Sequence, residues 1–326
     1  MSDLLIGLLG ALLATNQPAA VSNLVTQTTG LTVSIPDPND PVEKEYHKIT
    51  ADDDAAQAEV DGWIRDNQSF AKEGGGIKAN ELNAKIRRRF DGIKQEYTDF
   101  LAKHPNHIGA HLAYGSFLND SQDEDGAIAQ FETVMKLDPK NPVPYNQLAN
   151  EYTHSGPVDK AFGYYEKAIQ LDPTEPIYYQ NLATTIYLFR SNSVPYYHLP
   201  EQEIYNKAMK LYEQAMKLDP NNFELAQDVA QTYYGIRPTR TDEALNAWTN
   251  ALKIAETDVE REGVYLHFAR FQLNAGRFAE ARHNLDRVSN PIYNDLKTRL
   301  EKNLALKQKE AADTNAAPSA IKVETK

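Results

Sequence analysis

Three stretches of this chain close on nearly the same phrase: VMKLDPKNP around Pro139, AIQLDPTEP around Pro173 and AMKLDPNNF around Pro220. Pro139 and Pro173 are 34 residues apart, and another 34 back lands on Pro105 in DFLAKHPNH. Pro220 follows Pro173 by 47, one period plus 13 inserted residues. A fixed period of this size constrains the fold more than any composition does. Each period is one supersecondary unit that cannot bury its apolar face alone and must stack on its neighbours.

The register inside the period is helical. Twelve residues before the later prolines stand Ala127, Ala161 and Ala208; eight before stand Tyr97, Phe131, Tyr165 and Tyr212; five before stand Phe100, Val134, Ala168 and Ala215. Spacings of four and three put these on one helix face, and the proline ends the helix. The first half of each unit carries its own stripe: Tyr145, Leu148, Ala149, Tyr152; then Tyr179, Leu182, Ala183, Ile186; and earlier His111, Tyr114, Gly115, Leu118. Polar, glycine-bearing turns such as NDSQDEDG and THSGPVD separate the halves. The unit is helix–turn–helix.

This pattern resembles the tetratricopeptide repeat family: an early aromatic, a Leu-Gly/Ala pair, an alanine opening the second helix, an aromatic, another alanine and a closing proline. Two looser units follow, through Val229, Ala230, Tyr233, Ala244, Trp248 and Ala251, and through Tyr265, Phe268, Ala269, Ala281, Leu285 and Val288. The resemblance implies an all-α solenoid, a right-handed superhelix of antiparallel helix pairs. The array is expected over 108–290, in about five units at 108–141, 142–175, 176–222, 223–258 and 262–290.

Before the array, 41–107 is expected to hold two helices, near 42–71 and 80–103, acting as a degenerate repeat or a cap. After it, 291–312 reads as a capping helix with Leu296, Leu300 and Leu304 on one side, and 313–326 as a disordered tail. Residues 1–40 comprise an apolar stretch at 4–14 (LLIGLLGALLA) and an extended linker. The stretch is too short to span a bilayer, which takes about twenty residues. It suits an export signal or a helix packing on the array or a partner. A membrane-surface anchor is disfavoured, because no Lys or Arg precedes Lys44.

The chain has 46 acidic against 34 basic residues, a net charge of −12, so nucleic acid is not an expected partner. With no cysteine it has no disulfide, Cys-ligated metal or thiol nucleophile. That fits the cytoplasm and equally an exported, disulfide-free protein. No catalytic motif stands out, and no cofactor or metal is expected. Ser121-x-Asp123-x-Asp125-Gly126 with Glu132 approaches a calcium loop, but serine stands where the first carboxylate belongs and the segment is already explained as a repeat turn. His104, His107 and His111 approach metal-ligand spacing without a completing ligand. Lys85 and Arg87-Arg88-Arg89 read as a solvated helix face paired with nearby acids.

In the family resembled, first helices line a concave surface that usually binds a peptide or protein, so the chain is expected to be a non-catalytic interaction scaffold with a protein or peptide partner. The candidate groove residues are Asn146, Asn150, Gln180, Asn181, Thr184, Gln227, Gln231 and Arg270. Neutral amides donate and accept, as an extended backbone requires. A carboxylate clamp would need several Lys and Arg there, and only Arg270 qualifies. The insertion around 189–203 gathers Tyr196, Tyr197 and His198 as candidate anchors. The alternative reading is an envelope-associated assembly protein docked through residues 4–14.

Overall fold

The computed structural model describes residues 40–72 and 74–316. The apolar stretch 4–14, the linker after it and residues 317–326 lie outside them. Among the described residues all regular structure is helical: fourteen α-helices and one 3-10 turn. The chain divides into two compact units, residues 1–147 and 148–326.

The first unit holds α1 (Pro41–Lys72), α2 (Ala79–Lys103), α3 (Ile108–Asp120), α4 (Glu124–Leu137) and the first turn of α5 (Val143–His154). Helix α1 packs on α2 and α3, α2 on α3, and α3 on α4. The buried Tyr97 hydroxyl of α2 donates to Asp53 of α1 at 2.9 Å. Tyr46 of α1 donates to the Gly109 carbonyl at 3.2 Å. On α3, Gly115 lies flush against the wholly buried Phe131 ring of α4, the small-against-aromatic contact that the register implies.

The second unit holds the rest of α5, α6 (Val158–Leu171), α7 (Pro176–Leu188), α8 (Arg190–Tyr197), α9 (Glu201–Leu218), α10 (Phe223–Thr232), α11 (Thr241–Ile254), α12 (Asp258–Asn274), α13 (Phe278–Asp286), η1 (Pro291–Tyr293) and α14 (Asn294–Ala316). Contacts run from neighbour to neighbour: α6 with α7, α7 with α9, α9 with α10, and so on to α14, which packs on α12 and α13. This is the one-dimensional packing of stacked hairpins. The alanines at the recurring positions, Ala161, Ala168, Ala208, Ala215, Ala244 and Ala251, are all fully buried. Helix α14 continues to Ala316, past the expected end at 312, because Ala311 and Ala312 favour helix and no breaker occurs before Pro318.

The recurring LDP phrase has a local cause. At Asp138, Asp172 and Asp219 the backbone N–H bonds back to Val134, Ala168 and Ala215, at 2.8, 2.9 and 2.9 Å. The three φ/ψ pairs nearly coincide, at −137/86°, −138/93° and −132/77°. Asp138 and Asp172 then accept from the N–H two residues on, in Asx turns. His104 occupies the same place before Pro105, with its N–H on Phe100. The early aromatic of the next helix reaches back to the proline: Tyr145 donates to the Pro139 carbonyl at 3.2 Å and Tyr179 to the Pro173 carbonyl at 3.1 Å. His111 makes the same bond to the Pro105 carbonyl at 2.9 Å, which explains a histidine in an aromatic slot.

Candidate functional site

Helix periodicity places the fifth and ninth residues of each unit on one face of its first helix, and in the second unit the first helices are α5, α7, α10 and α12. Its polar groups are held by the aromatics behind them. The buried Tyr165 hydroxyl of α6 donates to half-buried Asn150 of α5 at 2.7 Å. The buried Tyr212 hydroxyl of α9 lies 2.8 Å from the hydroxyl of half-buried Thr184 on α7.

Gln180 of α7 donates to the Asp228 carboxylate of α10 at 3.0 Å, joining two successive first helices. Partial desolvation raises the Asp228 pKa, and the Gln180 hydrogen bond opposes that shift. Gln227 is half-buried beside it and Gln231 is exposed. Asn181 of α7 is half-buried. Arg270 of α12 is exposed, with its guanidinium 4.7 Å from the Tyr234 ring centre. Asn146, in the first unit, is buried and donates to the Gln147 side chain at 3.4 Å.

Asp228, Tyr165 and Tyr212 are absent from the sequence candidates for this face, although Asp228 holds the sixth place in its unit, beside the fifth-place column. Tyr234 stacks on Phe271 at 4.4 Å and its hydroxyl lies 2.8 Å from His267 Nδ1. Tyr187 approaches Gly235 so closely that a Cβ there would sit 1.9 Å from the Tyr187 hydroxyl oxygen.

The insertion forms α8, which packs against α6, α7 and α9. Tyr196 and Tyr197 both pack tilted against Phe162 of α6, with ring centres 4.9 and 5.5 Å away. The Lys207 ammonium lies 4.2 Å over the Tyr197 ring. Tyr196 retains 36% exposure. His198 is exposed and ends α8 in the left-handed region at φ 54°. A separate cleft of about 520 Å3 lies among α9, α10 and α11, floored by Met209, Met216, Val229 and Ala247 and rimmed by Lys210 and Glu243.

The would-be metal ligands have other work. Asp123 caps α4 by accepting from the Gly126 N–H at 3.1 Å and pairs with Lys94 at 2.5 Å, which together lower its pKa. His107 caps α3 by accepting from the Ala110 N–H. Among the described residues no group of three or more His, Asp or Glu is arranged to hold a metal ion. In the basic run, Arg89 pairs with Glu59 at 3.0 Å and the Lys85 ammonium sits 3.5 Å over Trp63. No helix among the described residues is long and apolar enough to cross a membrane.

Residues 144–175 and 203–222 match the family model described as tetratricopeptide repeat. Among solved structures the chain is similar to YrrB, described as a TPR protein with an unusual peptide-binding site, at 16% identity over 66% of this chain and 97% of that one, TM-score 0.45. It is also similar to TTC0263, described as a thermophilic TPR protein in Thermus thermophilus, at 20% identity over 61% and 99%, TM-score 0.40. PilW, described as a type IV pilus biogenesis factor, shares 13% identity over 67% and 94%, TM-score 0.49. No curated protein matches.

Proposed function

Taking as premise that the chain carries tetratricopeptide repeats, we propose that it is a non-catalytic scaffold whose first-helix face binds an extended segment of a partner protein. The observation that carries this is the row of amides and hydroxyls on that face, from Asn150 and Thr184 to Gln180, Gln227 and Gln231. Several are held in position by hydrogen bonds to Tyr165, Tyr212 and Asp228. Side chains that both donate and accept match a peptide backbone, whose N–H and C=O groups need both. Asp228 in the row and Arg270 engaged over Tyr234 disfavour a carboxylate terminus as the bound group. The acidic balance of the chain, −12, argues for a protein partner over a nucleic acid.

The test is recovery of partners by the intact chain and by Asn150→Ala/Gln180→Ala/Gln231→Ala, with helicity checked by circular dichroism. Each lost hydrogen bond is worth about 0.5–1.5 kcal/mol, so recovery falls by roughly tenfold or more. Equal recovery from both chains removes this face from the account.

A further inference from the structure

Helices α1 and α2 are out of proportion to the rest of their unit. They have 32 and 25 residues, against 13 and 14 in α3 and α4. At about 1.5 Å per residue α1 runs about 48 Å and α3 about 20 Å, so part of the α1–α2 pair overhangs its neighbours. Between the pair and the α3–α4 turn lies a cleft of about 680 Å3. Its floor is apolar: Ile64 of α1 and Ile86 and Phe90 of α2 line it half-buried, with the buried Val60 and Phe117 behind them. Phe90 meets Phe117 edge-on, ring centres 5.5 Å apart. Two polar ties border the floor, Gln57 donating to Asp120 at 3.3 Å and Lys94 pairing with Asp123 at 2.5 Å. The ties engage each other's polar groups, and the floor is the part left without cover.

The same unit supplies a segment that fits it. Thirty-nine residues precede Asp40, and 4–14 is the longest run in the chain without a polar side chain. At about 100° per residue, its seven leucine and isoleucine side chains fall on one arc. Gly7, Gly10, Ala11 and Ala14 fall on the opposite arc, which needs little cover. Eleven residues of helix are about 16 Å long, as long as the α2 wall of the cleft from Asn83 to Lys94. No charged residue lies between Asp3 and Asp37, so the segment brings no charge onto an apolar floor. Residues 15–40 can extend to about 90 Å. Gln57 and Ile64 stand only about 24–35 Å along α1 from its start, so the tether reaches.

We propose that residues 4–14 dock as a helix in this cleft of their own chain, with the leucine face on Ile64, Ile86 and Phe90. The assignment is independent of the groove reading. Burying the leucines against half-buried apolar side chains is the driving force, and the paired rim leaves the segment no charge to answer.

The chain has no cysteine, so introduced pairs report without background. Ala11→Cys, on the small arc, is combined with Asp61→Cys at the exposed rim of the cleft, or with Lys48→Cys, exposed and nearer the start of α1. Full-length protein, its N-terminus verified by mass spectrometry, is oxidised at micromolar concentration and the cross-linked product followed on denaturing gels. The docked segment links to Asp61→Cys about tenfold faster than to Lys48→Cys. A free segment favours Lys48→Cys, because the shorter tether gives it the higher effective concentration. Adding Leu8→Asp/Leu12→Asp, which alters no residue of the described helices, removes the preference for Asp61→Cys. Equal rates, or faster linkage to Lys48→Cys, overturn the docking. A preference that survives Leu8→Asp/Leu12→Asp overturns the leucine face as its cause, and linkage between two chains instead of within one assigns the segment to a second copy and overturns the proposal.

Discussion

Gly115 on α3 is the position at which the locking of two helices can be read most directly. A Cβ added there would lie 2.6, 2.9 and 3.0 Å from three carbons of the Phe131 ring. Carbon atoms pack best at about 3.5–4.0 Å, so the ring would have to retreat by about 1 Å. Phe131 has 0% exposure and nowhere to go. Overpacking of this kind costs about 1–3 kcal/mol, and alanine's better helix propensity returns at most about 1 kcal/mol. Gly115→Ala is therefore expected to destabilise by roughly 1–2 kcal/mol.

Gly92 on α2 is the matched control. It is exposed, with nothing within 4 Å of an added Cβ, so Gly92→Ala should stabilise by up to about 1 kcal/mol. Both residues belong to the unit 1–147 and report on the same transition. In urea unfolding followed by circular dichroism, the midpoint falls for Gly115→Ala and rises for Gly92→Ala. Adding Phe131→Leu to Gly115→Ala should recover part of the loss, a coupling visible in a double-mutant cycle. Alanine stands at the same register in Ala149 and Ala183, so resemblance alone would expect Gly115→Ala to be harmless. If it stabilises as much as Gly92→Ala, the interlock argument is wrong.

Two buried carboxylates carry opposite pH signatures. Burial raises the pKa of Asp53, against hydrogen bonds from Tyr97 and Gln57. Its contribution to stability is full below its unfolded pKa and is lost as pH rises through the folded value. Asp53→Asn should therefore gain on the wild type as pH climbs from about 3.9, the ordinary aspartate value, towards neutrality. Burial also acts to raise the pKa of Glu262, but bonds from the Asn290 and Ser289 N–H groups and the Ser289 hydroxyl outweigh it and hold the pKa low. That stabilisation is present above the unfolded pKa and lost as pH falls, so the destabilisation from Glu262→Gln should fade in acid; melting curves from pH 3 to 8 check both signs. Thr257 and Glu260 form a reciprocal capping box at the start of α12. Thr257→Ala should cost about 1 kcal/mol, and an unchanged urea midpoint would contradict it.

What could be read in the sequence followed from local periodicity. The alanines and aromatics spaced twelve, eight and five residues before each proline are a property of single helices, and Ala127, Phe131, Ala161, Tyr165, Ala208 and Tyr212 are all buried. The polar columns are an expectation from the same periodicity. What could not be read depends on contacts between helices distant in sequence. Gln180 meets Asp228 because α7 lies beside α10, 48 residues on. Tyr196 and Tyr197 pack against Phe162 of the preceding unit, and Pro195 within α8 hides a helix in a stretch that reads as loop. His111 has the spacing of a metal ligand, and its role emerges only from the repeated bond to the preceding proline carbonyl. Trp248 was visible as a core aromatic.

Hydrogen exchange of the chain with and without a captured partner tests the central claim most directly. The account predicts slowed exchange in the first helices α7, α10 and α12, with α9 and α11 unchanged. Slowing concentrated in α9 and α11, around the cleft of about 520 Å3, with α7 and α12 unaffected, would contradict it.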